Sequence, residues 1–287
     1  MQQKITLVTG TSSGIGRAAA LELVRIGFQV YAGVRRESDA DALREAALGK
    51  IDPVILDVTI PEQVDAVVQE LTQRHKQTGI DALVNVAGIA DFCPIEPFSI
   101  DRLKEIFDVN FFSTVSLTQK LIPLLRTSQG RIVTVGSVGS HTTIPYGFSI
   151  CSSKHALESM TSGLRMELAP WGIDAIAVDP SSIATPAADK MVEQARNTIN
   201  TTFSETDKAH YEERVIQMAE SMHGQEMAGI PPEDVAKIIA KALTTRRPKA
   251  RYLVGPHARM IVLMSGLLPD RLFDKLKLKM VGIKMNR

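Results

Sequence analysis

Three glycines fall within seven residues in Gly10-Thr-Ser12-Ser13-Gly14-Ile15-Gly16, directly after the apolar run Ile5-Thr6-Leu7-Val8 and at the start of a helical pattern. Glycine lets a chain turn sharply there and lets backbone N–H groups approach a pyrophosphate at the positive end of a helix. A glycine cluster alone is a common turn feature. At the first strand–helix junction of a βαβ pattern it points to a dinucleotide. About twenty residues further on, where an acid usually meets a ribose 2′-hydroxyl, the chain carries Arg35-Arg36. A guanidinium at that strand end can grip a 2′-phosphate with two hydrogen bonds. NADP(H) is therefore expected over NAD(H), as much from the missing acid as from the arginines. The bland alternative is a solvated pair, because Glu37 and Asp39 follow. Asp57, before Val58, suits either an adenine amino group or the cap of a turn, and both stay open.

These residues need a framework that brings strand ends together. Short apolar runs alternate with longer helix-patterned stretches over the first hundred and eighty residues. Strands are expected at Ile5–Val8, Phe28–Val34, Val54–Leu56, Ala82–Val84, Arg131–Val135 and Ala175–Val178. Helices are expected at Ile15–Ile26, Ser38–Leu48, Pro61–His75, Asp101–Leu125 and Ser149–Leu168. Continuously apolar strands separated by helices imply a parallel sheet covered on both faces. Right-handed crossovers then give an α/β, doubly wound, Rossmann-type fold. With no repeat or linker, residues 1–287 read as a single domain.

The 287 residues include 44% apolar and 23% charged residues, which excludes disorder, collagen-like repeats and coiled coil as descriptions of the whole chain. Thirty-three basic residues balance thirty-two acidic ones. No general electrostatic footprint for nucleic acid results, and no nucleic-acid partner is expected. Cys93 and Cys151 are far apart, without metal-ligand spacing, so they read as ordinary buried thiols and no metal is expected. The start of the chain lacks signal-peptide character and no apolar run reaches spanning length. A soluble cytoplasmic protein is the expectation.

Together with Asn85-Val86-Ala87-Gly88, Asn110, Ser137, Lys154 and Pro180-Ser181-Ser-Ile183-Ala-Thr185, the glycine turn resembles the short-chain dehydrogenase/reductase family across nearly the whole chain. Val30-Tyr-Ala-Gly-Val-Arg35 and Leu267-Leu-Pro-Asp270 look most like its steroid and retinol dehydrogenase branch. The resemblance implies an oxidoreductase in which a nicotinamide cofactor exchanges hydride with a carbonyl or alcohol carbon. It assigns carbonyl polarisation to Ser137, a ribose contact and a charge to Lys154, and a water relay to Asn110. It adds Asn85, Ala87, Gly88, Pro180, Ile183 and Thr185 to the cofactor's contacts. The family's proton-transferring tyrosine falls at Ile150, thirteen residues after Ser137 and four before Lys154. A positioned acid or base is worth roughly 10²–10⁴-fold. Tyr146 and His141 are weak substitutes, with packing or plain polar roles as the alternative. Ser181, where the family has glycine, is expected to crowd the nicotinamide end of the cofactor.

The stretch 182–229 reads as a long, loop-like lid over a lipophilic small molecule. The apolar and basic tail, 259–287, suits either packing with solvated lysines or peripheral contact with a membrane, packing being preferred. A homo-oligomer paired through the two long helices is expected by resemblance. Carbonyl/alcohol redox without the tyrosine is the leading chemistry. The rivals are isomerisation, cyclisation or elimination on the same fold, and a catalytically silent binding protein.

Overall fold

The computed structural model describes residues 3–283. Seven parallel strands form one sheet in the order β3-β2-β1-β4-β5-β6-β7. They are β1 Ile5–Val8, β2 Gln29–Val34, β3 Asp52–Ile55, β4 Ala82–Asn85, β5 Arg131–Val135, β6 Asp174–Pro180 and β7 Arg251–Val254. The helices are α1 Gly14–Arg25, α2 Glu37–Ala46, α3 Pro61–His75, α4 Ile100–Phe107, α5 Ser113–Ser128, α6 Phe148–Glu167, α7 Pro186–Asp189, α8 Met191–Thr202, α9 Glu205–Met227, α10 Pro232–Thr244, α11 Ala258–Leu267 and α12 Asp270–Met280.

Strand side chains alternate between two cores. On one face Val8, Val30, Val84, Val133 and Val178 meet Ala19 and Leu23 of α1 and Val235 and Ile239 of α10. On the other, Leu7, Leu83 and Ile132 meet Val64, Val67 and Leu71 of α3 and Leu117, Leu121, Leu124 and Leu125 of α5. The α5 residues recur at helical spacing, so one stripe of that helix is apolar. A strand buried on both faces has no polar side to show, hence its unbroken apolar run.

Strand order reverses between β1 and β4, and that is where an open parallel sheet leaves a crevice at the carboxyl ends of its strands. Two expectations need correction. The single helix expected over Asp101–Leu125 is broken by a π-helical turn at Asp108–Phe112, which carries Asn110. A π-turn shifts the helix register by one residue and commonly marks a site. The stretch 182–229 is not loop-like: α7, α8 and α9 fill most of it. Ser204 starts α9 with a capping box to Asp207, and Ala195, Ile199, Phe203, Val215 and Ala219 close a small core of their own with Cys93. The tail from 259 is likewise helical as far as Met280.

Leu83 lies at the middle of the sheet and is fully buried. Leu83→Ala is expected to lower unfolding free energy by about 2–5 kcal/mol, whereas Met166→Ala on the exposed face of α6 should stay within about 0.5 kcal/mol. Urea denaturation of both variants checks the pair.

Candidate active site

The glycine turn after β1 builds one wall of a cleft of about 630 Å³. Gly10 has φ +67° and a Cβ on it would lie 2.8 Å from the Ala87 Cα, so β1 and β4 can close on each other only with glycine there. A Cβ on Gly16 would run into the Gly10 carbonyl. Thr9 Oγ1 accepts the N–H groups of Val86 (3.0 Å) and Ala87 (3.1 Å), tying the two strand ends together. Ser12, Ser13, Gly14 and Ile15 line the same wall, and Thr185 faces Gly14 across the cleft.

Arg35 is exposed and lines the cleft at the end of β2. Arg36 is also exposed, but it sits at the N-cap of α2 and does not line the cleft. Asp57 and Val58 line the cleft at the end of β3. One Asp57 carboxylate oxygen accepts from the Thr59 N–H (3.0 Å) and hydroxyl (2.7 Å), so the turn-capping role is realised while the residue still faces the cleft. Asn85 is buried and its amide donates to Thr118 Oγ1 at 3.3 Å, bracing β4 against α5. Ala87 and Gly88 complete the wall.

Lys154 lies beneath Gly88. A Cβ on that glycine would stand 3.7 Å from the lysine Nζ and 3.2 Å from Asn110 Oδ1. Lys154 Nζ donates to the Val135 carbonyl at 2.9 Å. Burial pushes its pKa down to about 8, and the nearby Asp179 carboxylate opposes that fall. Asn110 is fully buried and spends its side chain on structure, accepting from the Ile89 N–H (2.8 Å) and donating to the Ile89 carbonyl and Ser153 Oγ (both 2.9 Å). Ser137 opens a 3₁₀ turn, Val138–Ser140, against which α6 packs. Its Oγ accepts the Gly139 N–H at 3.0 Å and donates to no group among the described residues.

Ile150 is half-buried, one turn before Lys154 on α6. Neither substitute stands in its place. Tyr146, at φ +58°, packs its ring into the small core of α8 and α9 with Cys93 and Phe98, where burial raises the phenol's pKa. His141 Nε2 is 2.8 Å from Asp179 Oδ2.

Asp179 is the residue that sequence reasoning passed over. It is 1% exposed, near the end of β6, where it follows the apolar run Ala175–Val178. A Cβ on Gly136 would collide with its carboxylate. Arg251 of β7 ion-pairs with it at 3.4 Å and with Glu158 of α6. His141, Glu158 and Asp179 would suit a metal by type, but the cation paired with both carboxylates is a guanidinium. An acid directly after the apolar run Ala175–Val178 was the available signal, since a buried carboxylate demands partners.

Pro180 is buried at the end of β6, paired in register with Val254. The Ser181 hydroxyl turns towards β7 and the residues after it, donating to the Pro256 carbonyl at 2.8 Å. Ile183 is bridged to Ile230. Its N–H is taken by Glu226 Oε2 of α9 at 2.8 Å, and burial raises that carboxyl's pKa. Glu226 had no signal in its polar surroundings.

Residues 4–196 match the short chain dehydrogenase family. An NADPH-dependent 3-dehydrocapnine reductase from Ornithobacterium rhinotracheale is 34% identical over 95% of each chain. Mouse retinol dehydrogenase 5 is 31% identical over 93% of this chain and 85% of its own. A short-chain dehydrogenase structure from Streptomyces avermitilis superposes with a TM-score of 0.74 at 26% identity, covering 97% and 95% of the two chains. A Burkholderia cenocepacia short chain dehydrogenase solved with NADP shares the fold at a TM-score of 0.70 and 23% identity, over 96% of this chain and 98% of that one. The chain belongs to the short chain dehydrogenase family, within which the glycine-walled cleft and the lysine beneath it find their place.

Proposed function

We propose that the protein is an NADP(H)-dependent oxidoreductase that interconverts a carbonyl and an alcohol on a lipophilic small molecule. The observation that carries this reading is the cleft at the parting of β1 and β4, with a buried ammonium under its floor. The cradle fits a dinucleotide because side chains are absent where its backbone must be approached. Arg35 supports the 2′-phosphate, with no acid at that strand end to repel it. The NADPH dependence named for the 34%-identical reductase agrees. Relatives named for retinol and estradiol, two apolar alcohols, support a greasy substrate.

When bound, the cofactor supplies the hydride. Ser137 supplies a free hydroxyl to hold the carbonyl oxygen. Lys154 holds the ribose and, while protonated, steadies the negative charge that develops on that oxygen. Ile150 has no proton to give, so the proton reaches the oxygen from solvent through Ser137. His141 is spent on Asp179, and Tyr146 on the lid.

A panel of apolar ketones is expected to include one that consumes NADPH slowly. Ile150→Tyr should raise that rate by about 10²-fold or more. Product formed without net cofactor use would instead point to isomerisation or elimination. Arg35→Asp is expected to weaken NADPH binding by about 10–100-fold, the cost of a charge-assisted pair, and to spare NADH; coenzyme titration reads both. Lys154 carries its charge below about 8 and loses it above. Reduction should therefore fall as pH rises through that value, and Lys154→Met should be slow with this limb missing.

A further inference from the structure

The tail carries more than packing residues. Helix α11 has a single buried residue, Ala258, although nearly every side chain on it is apolar. Met260, Leu263 and Leu267 are 50%, 61% and 71% exposed. They follow at three and then four residues, so they form one outward stripe with Arg259 on its flank. Exposed apolar residues elsewhere, such as Leu48 and Ile95, are scattered, and scatter needs no explanation. An aligned stripe does.

Helix α12 faces outward differently. Phe273 and Val281 anchor its inner side. Arg271, Lys275 and Lys279, four residues apart, share its exposed side with Leu272. Residues 258–283 hold five basic residues and two acids, in a chain whose total charge is only +1. One of those acids, Asp274, is paired with Lys277 at 2.9 Å. The positive charge is therefore gathered beside the apolar stripe.

The pair is fixed in place. Lys277 Nζ donates to the Thr143 carbonyl at 2.9 Å, and Gln217 of α9 donates to the Gly282 carbonyl at 3.2 Å. α11 also contacts the 3₁₀ turn after Ser137. The exposed face thus leans on the loop beside Ser137 and on the lid helix. Among the described residues no helix is long and apolar enough to cross a membrane. An apolar stripe with cations beside it matches the boundary between lipid headgroups and acyl chains.

We infer that α11 and α12 form a docking surface for an anionic lipid membrane, the α11 stripe entering the acyl boundary while Arg271, Lys275 and Lys279 meet the headgroups. The inference does not rest on the reaction proposed above. The test is co-sedimentation of the full chain with vesicles of phosphatidylcholine, pure or containing about one third phosphatidylglycerol, near 0.1 M salt where surface charges still act over about 10 Å. Binding is expected to the anionic vesicles and at least about tenfold less to the neutral ones. The double variant L263E/L267E should abolish binding, and R271E/K275E should lose about tenfold or more on the anionic vesicles alone. Thermal unfolding at the wild-type temperature shows that each variant is folded. Wild-type protein left in the supernatant of both vesicles, or binding that L263E/L267E leaves intact, overturns the proposal. So does a wild-type dimer that L263E/L267E splits without any lipid binding, because a second copy then covers the stripe.

Discussion

The closeness of two backbones governs this molecule. Strands β1 and β4 part at Gly10 and Ala87 with no room for a methyl group between them, and Thr9 locks the gap with two hydrogen bonds. A crevice of this kind exists because strand order reverses there, and its walls stay bare because glycine occupies them. Everything that could handle a nucleotide lies along that seam: the helix start at Gly14, Arg35 at the neighbouring strand end, and Lys154 beneath Gly88. A side chain at Gly10 or Gly16 would separate the elements that define the site.

Behind the seam lies a second arrangement of a different nature. Lys154, Asp179, Glu158 and His141 gather in a largely buried region beside α6 and β6, and the exposed Arg251 of β7 reaches Asp179 and Glu158 from the solvent side. Charges in such a place are tolerated when paired and costly when not. One oxygen each of Asp179 and Glu158 has no hydrogen-bond partner among the described residues. Of the two, Asp179 acts on the lysine, its charge opposing the loss of the ammonium that burial favours. The lysine's charge thus depends on β6 as well as on its own helix.

The sheet was readable in the chain because burial on both faces writes itself as uninterrupted apolar runs, and β5, Arg131–Val135, falls where its run predicts. Helix α3, opened by Pro61 at its first turn, was equally plain. The break at Asn110 was not, since a π-turn alters hydrogen-bond register without altering the amphipathic pattern around it. Helices α8 and α9 were hidden by polar residues, their stability coming from a capping box and a few apolar contacts. The glycine wall, Arg35 and Asp57 were legible because local turn chemistry places them. Asp179, Arg251 and Glu226 were not, because their roles come from partners 38 to 93 residues away or from a loop brought in by the fold.

Strand order also has a bearing on how the chain can assemble. Starting from β1, β2 and then β3 extend the ribbon on one side, and β4, β5, β6 and β7 extend it on the other in the order in which they are made. No strand has to wedge between two that have already joined. Each newly synthesised strand finds an open rim, and domains built during translation gain from such outward growth because unpaired rims are the places where chains go astray. Strand β1 thus lies inside the sheet with a neighbour on each side, and β7 forms one border.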